Sequence, residues 1–585
     1  MKKLVGKPVS QGIIIGKAQL FNSKKEFIFK EKIDRKSVEK EINRFSNSIK
    51  ATRAQLKDIY TNLKKTMGEE SALIIKTQSM LLEETRLIDE IKQIIRNKLV
   101  RSEWAIKEIE KKYVNHFKKI KDLSFREKGN DIIDILERVV LNLKKVKVDV
   151  NKSIGNVIIV ADEIAPSIAA SLMINNELKG IILDKGGETS HTVILARTLG
   201  IPTIINTGKA TEKIATDDTL IVDGLDGKIT INPDENQIKK ALKKAKKFED
   251  HQENLKLISK LPNITNDGRK FSLNANIEFP FESDIVSSHG ADGIGLFRTE
   301  FLFTDKSIAN SEEEQYLIYK NIAHKIYPGI VTIRTFDIGR DKGNHFFQTG
   351  NEVNPALGMM AVRLFLKEKK FFKKQIKAIL RANENGNIRI LFPMITEIEE
   401  IRSIKEIIKD AEKDLINENH MPHHRTKIGV MVEVPAMVKI LKFLQDEVDF
   451  LSLGTNDMIQ YLLAVERNNN SLSYLFNPFQ PAVIEILMEI KREADKIGKE
   501  ITVCGEIAGQ TFTALMLLGI GYTSFSMNPL AIAEIKRVFT SIDFSYLRKI
   551  TKQLSLFAFK TETENFIINS LKKQYPKIFR KDLLF

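Results

Sequence analysis

From residue 270 onward the chain repeats one pattern: a short apolar run, a few polar residues, then a helical stretch before the next run. Eight strand candidates can be read: Phe271–Ile277, Gly293–Phe297, Val331–Phe336, Ile388–Phe392, Ile428–Val432, Phe450–Leu453, Ile501–Val503 and Thr523–Ser526. Helical stretches separate most of them, and strands alternating with helices predict βαβ units in a parallel sheet. Eight such units over about three hundred residues have the size of a (β/α)8 barrel. That fold puts its site at the C-terminal ends of the strands, so the polar residues just after each strand are the ones to inspect.

Those residues form a coherent set. Strand two ends in Arg298-Thr299-Glu300, and strand three carries Arg334-Thr335-Phe336-Asp337. Strand five ends in Glu433-Val434-Pro435 and strand six in Gly454-Thr455-Asn456-Asp457, with Arg467 shortly after. Strand seven ends in Cys504-Gly505-Glu506. Singly, each has a plain explanation: an ion-paired arginine, a hydrated carboxylate, a cysteine packed as a small apolar residue. Together, three guanidiniums, two carboxylates, an amide and a thiol converge on one barrel rim. Carboxylate oxygens suit Mg²⁺, which also takes substrate phosphate. Arginine forks suit phosphate and carboxylate. The implied ligand carries both groups, as phosphoenolpyruvate does.

The N-terminal half reads differently. Residues 5–20 alternate glycine with β-branched residues, and strand signals return at 157–160, 181–183, 203–205, 219–222 and 229–231. Between them the pattern is helical. Ile42, Phe45, Ile49, Leu56, Ile59 and Leu63 form one apolar stripe. Gly68 is expected to interrupt that helix, with further helices over 73–100, 103–121 and 131–145. The expected organisation is α/β: residues 1–25 with 148–231 form one unit, into which a helical unit, 34–145, is inserted. A Lys- and Glu-rich linker helix over 233–260 then leads to the barrel, 261–575. The helical insertion is expected to be a docking surface, with the acidic pairs Glu69-Glu70 and Glu83-Glu84 facing a basic partner.

One string in the first half is more specific than any pattern: Gly186-Gly187-Glu188-Thr189-Ser190-His191-Thr192-Val193-Ile194-Leu195-Ala196-Arg197. It lies between two strand signals, so the glycine pair is a strand-to-helix turn. Thr189 or Ser190 is the expected N-cap. His191 then falls in the first helical turn, where free N–H groups and the helix dipole favour an anion.

The string resembles the phosphohistidine signature of the phosphoenolpyruvate-utilising enzymes. The segments Gly293–Glu300, Gly429–Glu433, Leu453–Asp457 and Cys504–Gly509 narrow the resemblance to the Enzyme I family of the sugar phosphotransferase system, over nearly all 585 residues. The resemblance implies that residues 1–25 and 148–231 swivel and carry phosphohistidine, that 34–145 docks the carrier protein HPr, and that 233–260 is a hinge. The barrel then binds phosphoenolpyruvate and Mg²⁺ and forms a homodimer. By the same resemblance, Arg298 and Arg334 hold the phosphate, while Arg467, Asn456 and Asp457 contact the substrate. Glu433 and Asp457 bind Mg²⁺, and Cys504 protonates the methylene carbon of the departing enolate to give pyruvate. His191 attacks phosphorus through Nε2 and passes the phosphoryl group to a histidine of HPr, the first step of sugar uptake. The sequence departs from the family at Arg340, where a glycine is usual, and at Met360, where an arginine is usual. Glu466 and Asn468 replace the usual Asp and Gly around Arg467. These departures bear on the rate, not on the fold.

Composition narrows the alternatives. A single cysteine excludes an intramolecular disulfide and fits a reducing cytoplasm. No apolar run is long enough to span a bilayer, so no membrane association is expected. The net charge of +16 is spread through helices rather than clustered with aromatics, and no nucleic-acid motif is present. A phosphoenolpyruvate synthase or pyruvate-phosphate dikinase would need an ATP-binding domain for which the chain has no room. A nitrogen-related Enzyme I would carry an extra N-terminal sensory domain, and here the swivelling unit is read from Met1. A catalytically weak regulatory phosphoacceptor is the third alternative, motivated by Met360.

Overall fold

The structure is a computed structural model that describes residues 2–21, 30–82, 85–118, 123–144, 157–164, 168–169, 171–172, 178–187, 190–304, 309, 311–338, 354, 357–420, 422–466, 469, 471–472 and 474–579. The chain divides into two compact units, Met1–His251 and Gln252–Leu584.

The first unit contains an eight-stranded sheet. Its strands are β1 (Lys2–Val5), β2 (Lys7–Ser10), β3 (Ile13–Leu20), β4 (Val157–Ala161), β5 (Leu178–Leu183), β6 (Thr203–Ile205), β7 (Thr219–Asp223) and β8 (Lys228–Ile231). The order across the sheet is β1-β8-β7-β3-β4-β5-β6-β2. Strands β3 to β6 are parallel, and the flanking strands run antiparallel. The central strand β4 is buried along its whole length. Its alternate residues serve two cores: Val157 and Ile159 face one, Ile158 and Val160 the other. A fully apolar strand is what two covered faces require.

Between β3 and β4 run four helices: α1 (Val38–Leu81), α2 (Thr85–Lys98), α3 (Ser102–Lys118) and α4 (Leu123–Leu143). The stripe read from the sequence is their seam, since Ile42, Phe45, Ile49, Leu56 and Ile59 of α1 are all buried. The expected break at Gly68 does not occur, because α1 continues through it to Leu81. One glycine inside a helix costs only about 1 kcal/mol. The break falls instead after Leu81, so the expected single helix over 73–100 is two. Glu83-Glu84 lie outside the described residues.

Helix Glu235–Ile258 follows β8, and the division between the two units falls within it. Lys244 of this helix is held by Asp223 (2.5 Å) and Asp226 (3.1 Å).

The second unit is a closed barrel of eight parallel strands. They are β9 (Ser272–Ile277), β10 (Ile294–Phe297), β11 (Val331–Arg334), β12 (Ile388–Phe392), β13 (Lys427–Val432), β14 (Phe450–Leu453), β15 (Ile501–Val503) and β16 (Ser524–Met527). Closure is made by β16 pairing with β9, with Met527 opposite Ala275. Outward residues such as Ile333, Ile390, Val430 and Leu451 join the helices in one large core. The interior carries a layer of polar side chains. Arg389 donates to Thr332 Oγ1 at 2.7 Å, with its guanidinium 4.2 Å from the centre of the Phe450 ring. Thr502 and Ser524 share a hydrogen bond of 2.8 Å, and Ser526 donates to Asn276 at 2.5 Å. Satisfied partners make such a buried polar layer tolerable. Gly429 leaves the space that the Phe450 ring fills, since a Cβ there would lie 2.6 Å from it.

Candidate functional site

The C-terminal ends of the barrel strands gather charge. Arg334, the last residue of β11, is buried and forms ion pairs with Glu300 at 3.0 Å and with Asp337 at 2.9 Å. Glu300 is the second residue after Arg298, and it also accepts the Asp337 main-chain N–H at 3.0 Å. Burial alone would lower the Arg334 pKa. The charges of Glu300, Asp337, Glu433 and Asp457 overrule it and keep the guanidinium protonated. Arg298, just past β10, pairs with Glu278, just past β9, so the ion-pair reading of this arginine holds in part.

Glu433 follows β13 and is completely buried. Its Oε1 accepts the Met394 N–H at 2.6 Å. Met394 reaches it from a left-handed backbone, φ 59°, just beyond β12. Burial first, and then the charges of Asp457 and Asp337, push the Glu433 carboxyl well above the usual carboxylate range, while Arg334 opposes them. Its second oxygen, Oε2, has no partner. Gly454 is needed beside it, because a Cβ there would sit 2.7 Å from Oε2 and 2.9 Å from the Glu433 Cβ. Gly454→Ala should therefore displace the carboxylate with the barrel intact. With Glu433 as the Mg²⁺ ligand that the sequence resemblance implies, we expect the Mg²⁺ concentration for half-maximal activity to rise at least about tenfold. An unchanged Mg²⁺ titration would show that the carboxylate has room to yield.

Helix Thr455–Leu463 starts directly after β14 and carries Asn456 and Asp457 in its first turn. Asn456 and Glu506, which follows β15, hold each other reciprocally: the Asn amide donates to the Glu carboxylate at 3.1 Å, and the Glu main-chain N–H donates back at 3.2 Å. Cys504 is buried in an apolar cluster inside the barrel with Leu296, Leu391, Met431 and Phe450, as a cysteine packed as a small apolar residue would be. Its Sγ lies 2.8 Å from Ser452 Oγ. Burial pushes the thiol up to about 11, against the Ser452 hydrogen bond and the charges of Arg389, Arg334 and Arg298. The thiol is therefore protonated at neutral pH.

The described residues contain nine buried side-chain polar atoms without a partner. Five of them are on this rim: Arg298 Nε, Arg334 Nε, Asp337 Oδ1, Glu433 Oε2 and Thr455 Oγ1. Buried polar atoms are nearly always satisfied, so such a cluster marks a place where a ligand completes the bonding. Among the described residues no three His, Cys, Asp or Glu side chains converge to cage an ion unaided.

The barrel thus brings together Arg298, Arg334, Glu433, Asn456, Asp457 and Cys504. Arg467 and Arg340 lie outside the described residues. Met360 is half-buried at the N-cap of helix Ala361–Lys367. Glu300 and Asp337 stand in the strand-end segments read from the sequence but carry no assigned role there, and Glu278 and Met394 are not read at all. The signal for the first two is spacing, as Asp337 lies three residues from Arg334 and Glu300 two from Arg298.

His191 belongs to the first unit. It opens helix His191–Thr198, and Ser190 is the N-cap, its hydroxyl accepting the Val193 N–H at 3.4 Å. Asp184, at the end of β5, accepts from Thr207, Thr211 and the Ala210 N–H, which ties the turn before His191 to the next loop. Among the described residues nothing lies within 4 Å of a Cβ built on Gly187, whereas one on Gly186 would touch Ile205 at 3.5 Å.

Three family models match in chain order. They are the N-terminal part of the PEP-utilising enzymes over residues 5–128, their mobile domain over 154–227 and their PEP-binding domain over 252–544. A phosphoenolpyruvate-protein phosphotransferase of Buchnera aphidicola (subspecies Baizongia pistaciae) is 35% identical over 560 residues, covering 95% of this chain and 97% of that one. One from Haemophilus influenzae is 36% identical over 536 residues, covering 92% and 93%. One from Bacillus subtilis is 35% identical over 535 residues, covering 91% and 93%. With an α/β half, a closed barrel and relatives matched along nearly their whole length, the chain belongs to the phosphoenolpyruvate-protein phosphotransferases, transferase members of the PEP-utilising enzymes.

Proposed function

We propose that this chain moves the phosphoryl group of phosphoenolpyruvate to His191 and from there to a histidine of the carrier HPr, the first step of sugar uptake by a phosphotransferase system. The observation that supports this reading most is the cluster of unsatisfied polar atoms on the barrel rim, on two arginines, two carboxylates and a threonine. Arg298 and Arg334 would take the phosphate, and Asn456 and Arg467 the rest of the substrate. Glu433 and Asp457 would hold Mg²⁺. The fit is chemical: Glu433 Oε2 is buried without a partner, and its charge is disfavoured by neighbouring carboxylates. Two carboxylates are a normal Mg²⁺ donor set when substrate phosphate supplies the rest. Bound there, the ion neutralises charge on the transferring group.

In this reading His191 Nε2 forms a bond to phosphorus as the bond from phosphorus to the enol oxygen breaks. The enolate then takes a proton at its methylene carbon from the Cys504 thiol, giving pyruvate and a thiolate. A thiol held protonated by burial suits that donor role. Because His191 and the rim belong to separate compact units, the two must meet for one half-reaction and part for the other. Helix Glu235–Ile258 is then the hinge, and such steps often limit turnover. The helices α1–α4 would dock HPr. The barrel would form the homodimer, and exposed Phe443, Tyr474, Leu556 and Phe559 offer apolar area for it. No described helix is long and apolar enough to cross a membrane, and with one cysteine in the chain we place the protein in the cytoplasm.

The test separates the donor from the phosphoryl carrier. A fragment of residues 1–251 is one of the two compact units, with its own sheet and helical cores. With labelled phospho-HPr it should become labelled. With labelled phosphoenolpyruvate and Mg²⁺ only the full chain should. Labelling of the fragment by phosphoenolpyruvate would remove the barrel from the reaction.

A further inference from the structure

The described side chains of the rim carry more negative than positive charge. Glu300, Asp337, Glu433 and Asp457 all act on the one guanidinium of Arg334, which is already shared between Glu300 and Asp337. Arg298 is engaged by Glu278. A ligand with a phosphate and a carboxylate brings roughly three more negative charges. Beside the Mg²⁺ and Arg467 of the proposed reading, its approach is favoured by a described cation that no carboxylate has already neutralised.

Arg363 is such a cation. Helix Ala361–Lys367 begins beside the site, because the Ala361 N–H donates to Ile338 O at 2.9 Å, one residue from Asp337. Ala361, Val362, Leu364 and Phe365 are buried and fix the helix, while Arg363, in the first turn, is left half-exposed. Among the described residues its guanidinium has one hydrogen bond, from Nη1 to Gly358 O, and at 3.4 Å that bond is weak. Among the described residues no carboxylate lies within ion-pair distance of it. Its field reaches the rim. Tyr461, two turns of backbone beyond the start of helix Thr455–Leu463, is raised to about 12 by burial and by Asp457, Glu433 and Asp337, and Arg363 is the charge that opposes them. The helix that carries Arg363 is tied to the residue after Asp337, and its charge acts on the same tyrosine as the rim carboxylates.

We propose that Arg363 is a substrate-binding residue of this site, donating its remaining N–H groups to an oxyanion of the ligand. This rests on the reading of the rim as the phosphoenolpyruvate site. The guanidinium fork suits phosphate or carboxylate equally, and the test distinguishes them. Loss of one charge-assisted contact corresponds to about 10- to 100-fold in binding.

The experiment uses the full chain with Mg²⁺ and HPr, with phosphoenolpyruvate varied. For Arg363→Met we expect KM for phosphoenolpyruvate to rise about 10- to 100-fold, kcat to change less than about threefold, and the melting temperature to stay put. Arg363→Lys, which keeps the charge and loses the fork, should recover part of the loss. Pyruvate carries the carboxylate without the phosphate. If its inhibition constant rises in parallel, Arg363 holds the carboxylate; if it is unchanged, Arg363 holds the phosphate. An unchanged KM in a folded Arg363→Met protein overturns the proposal, as does a loss confined to kcat and melting temperature. Arg298→Met serves as the reference. If it abolishes turnover while Arg363→Met is silent, the proposal alone fails. If Arg298→Met is silent too, the reading of the rim fails with it.

Discussion

His191→Ala is expected to abolish transfer from phosphoenolpyruvate to HPr without unfolding the chain. The helix that His191 opens is capped by the Ser190 hydroxyl, and alanine is the best helix former. Val193, Leu195 and Ala196, which seat that helix in the core, are untouched. The stability of the first unit should therefore be unchanged within about 0.5 kcal/mol. The barrel rim is also intact, so phosphoenolpyruvate should bind with the parent affinity by calorimetry. What disappears is the acceptor. The parent chain should take up label from phosphoenolpyruvate in an acid-labile, base-stable linkage, the behaviour of a phosphorus–nitrogen bond. The variant should take up none, from either phosphoenolpyruvate or phospho-HPr. Label persisting in the variant would assign the phosphoryl group to another residue, and unchanged turnover would dismiss His191 altogether.

The barrel was largely legible in the sequence because each strand is short and apolar on its outward face. Ile388–Phe392, Phe450–Leu453 and Ile501–Val503 have the bounds that periodicity gives. Others shift by a residue or two: Val331–Arg334 stops before Phe336. Burial decides these cases poorly: Thr335 is as buried as the strand and still donates its N–H to Leu391 O at 2.9 Å, while Phe336, equally buried, turns its N–H to the Gln375 side chain instead. The inserted helices were read less well. A glycine signals a helix end when the left-handed conformation exploits it, and Gly68 stays helical within α1. The true interruption after Leu81 carries no glycine or proline to announce it.

The positions of the candidate residues on the barrel rim were legible in the sequence, but not the network that joins them. Strand-end position was enough to pick out Arg298, Arg334, Glu433, Asn456, Asp457 and Cys504. It could not show that Arg334 is shared by Glu300 and Asp337, or that the Met394 main chain orients Glu433. Those relations join neighbouring strands, and local sequence carries no trace of a main-chain N–H turned by a left-handed residue. Arg363 was missed for the same reason. It lies on a helix after strand β11, where charged residues are ordinarily solvated, and only the tie from Ala361 to Ile338 brings it to the rim.

Glu433→Gln should make the protein more stable and far less active. The carboxylate is completely buried, and burial together with Asp457 and Asp337 raises its pKa well above the usual range. A raised carboxylate pKa means that the fold disfavours the ionised form. The sign for stability follows from linkage. Such a group's contribution is most favourable below its unfolded pKa and is lost as pH rises through the folded one. Without Mg²⁺ the parent should therefore lose stability as pH climbs above the ordinary glutamate range, and the substitution should flatten that slope. The amide oxygen can still accept the Met394 N–H now made to Oε1, so the packing is kept. Arg334 loses one of four carboxylates but retains its two direct ion pairs, with Glu300 and Asp337, so no buried cation is stranded. In activity the effect is opposite. Charge neutralisation on the transferring group is worth several kcal/mol, and losing an anionic Mg²⁺ donor should lower kcat/KM on the order of 10³-fold. Thermal melts across pH, with and without Mg²⁺, separate the two effects. Mg²⁺ should raise the melting temperature of the parent and leave that of the variant unchanged, because only a ligand bound to the folded state stabilises it. A variant that melts lower than the parent at neutral pH without Mg²⁺ would show that Glu433 is a structural partner of Arg334. One that keeps the Mg²⁺-dependent rise would place the ion elsewhere.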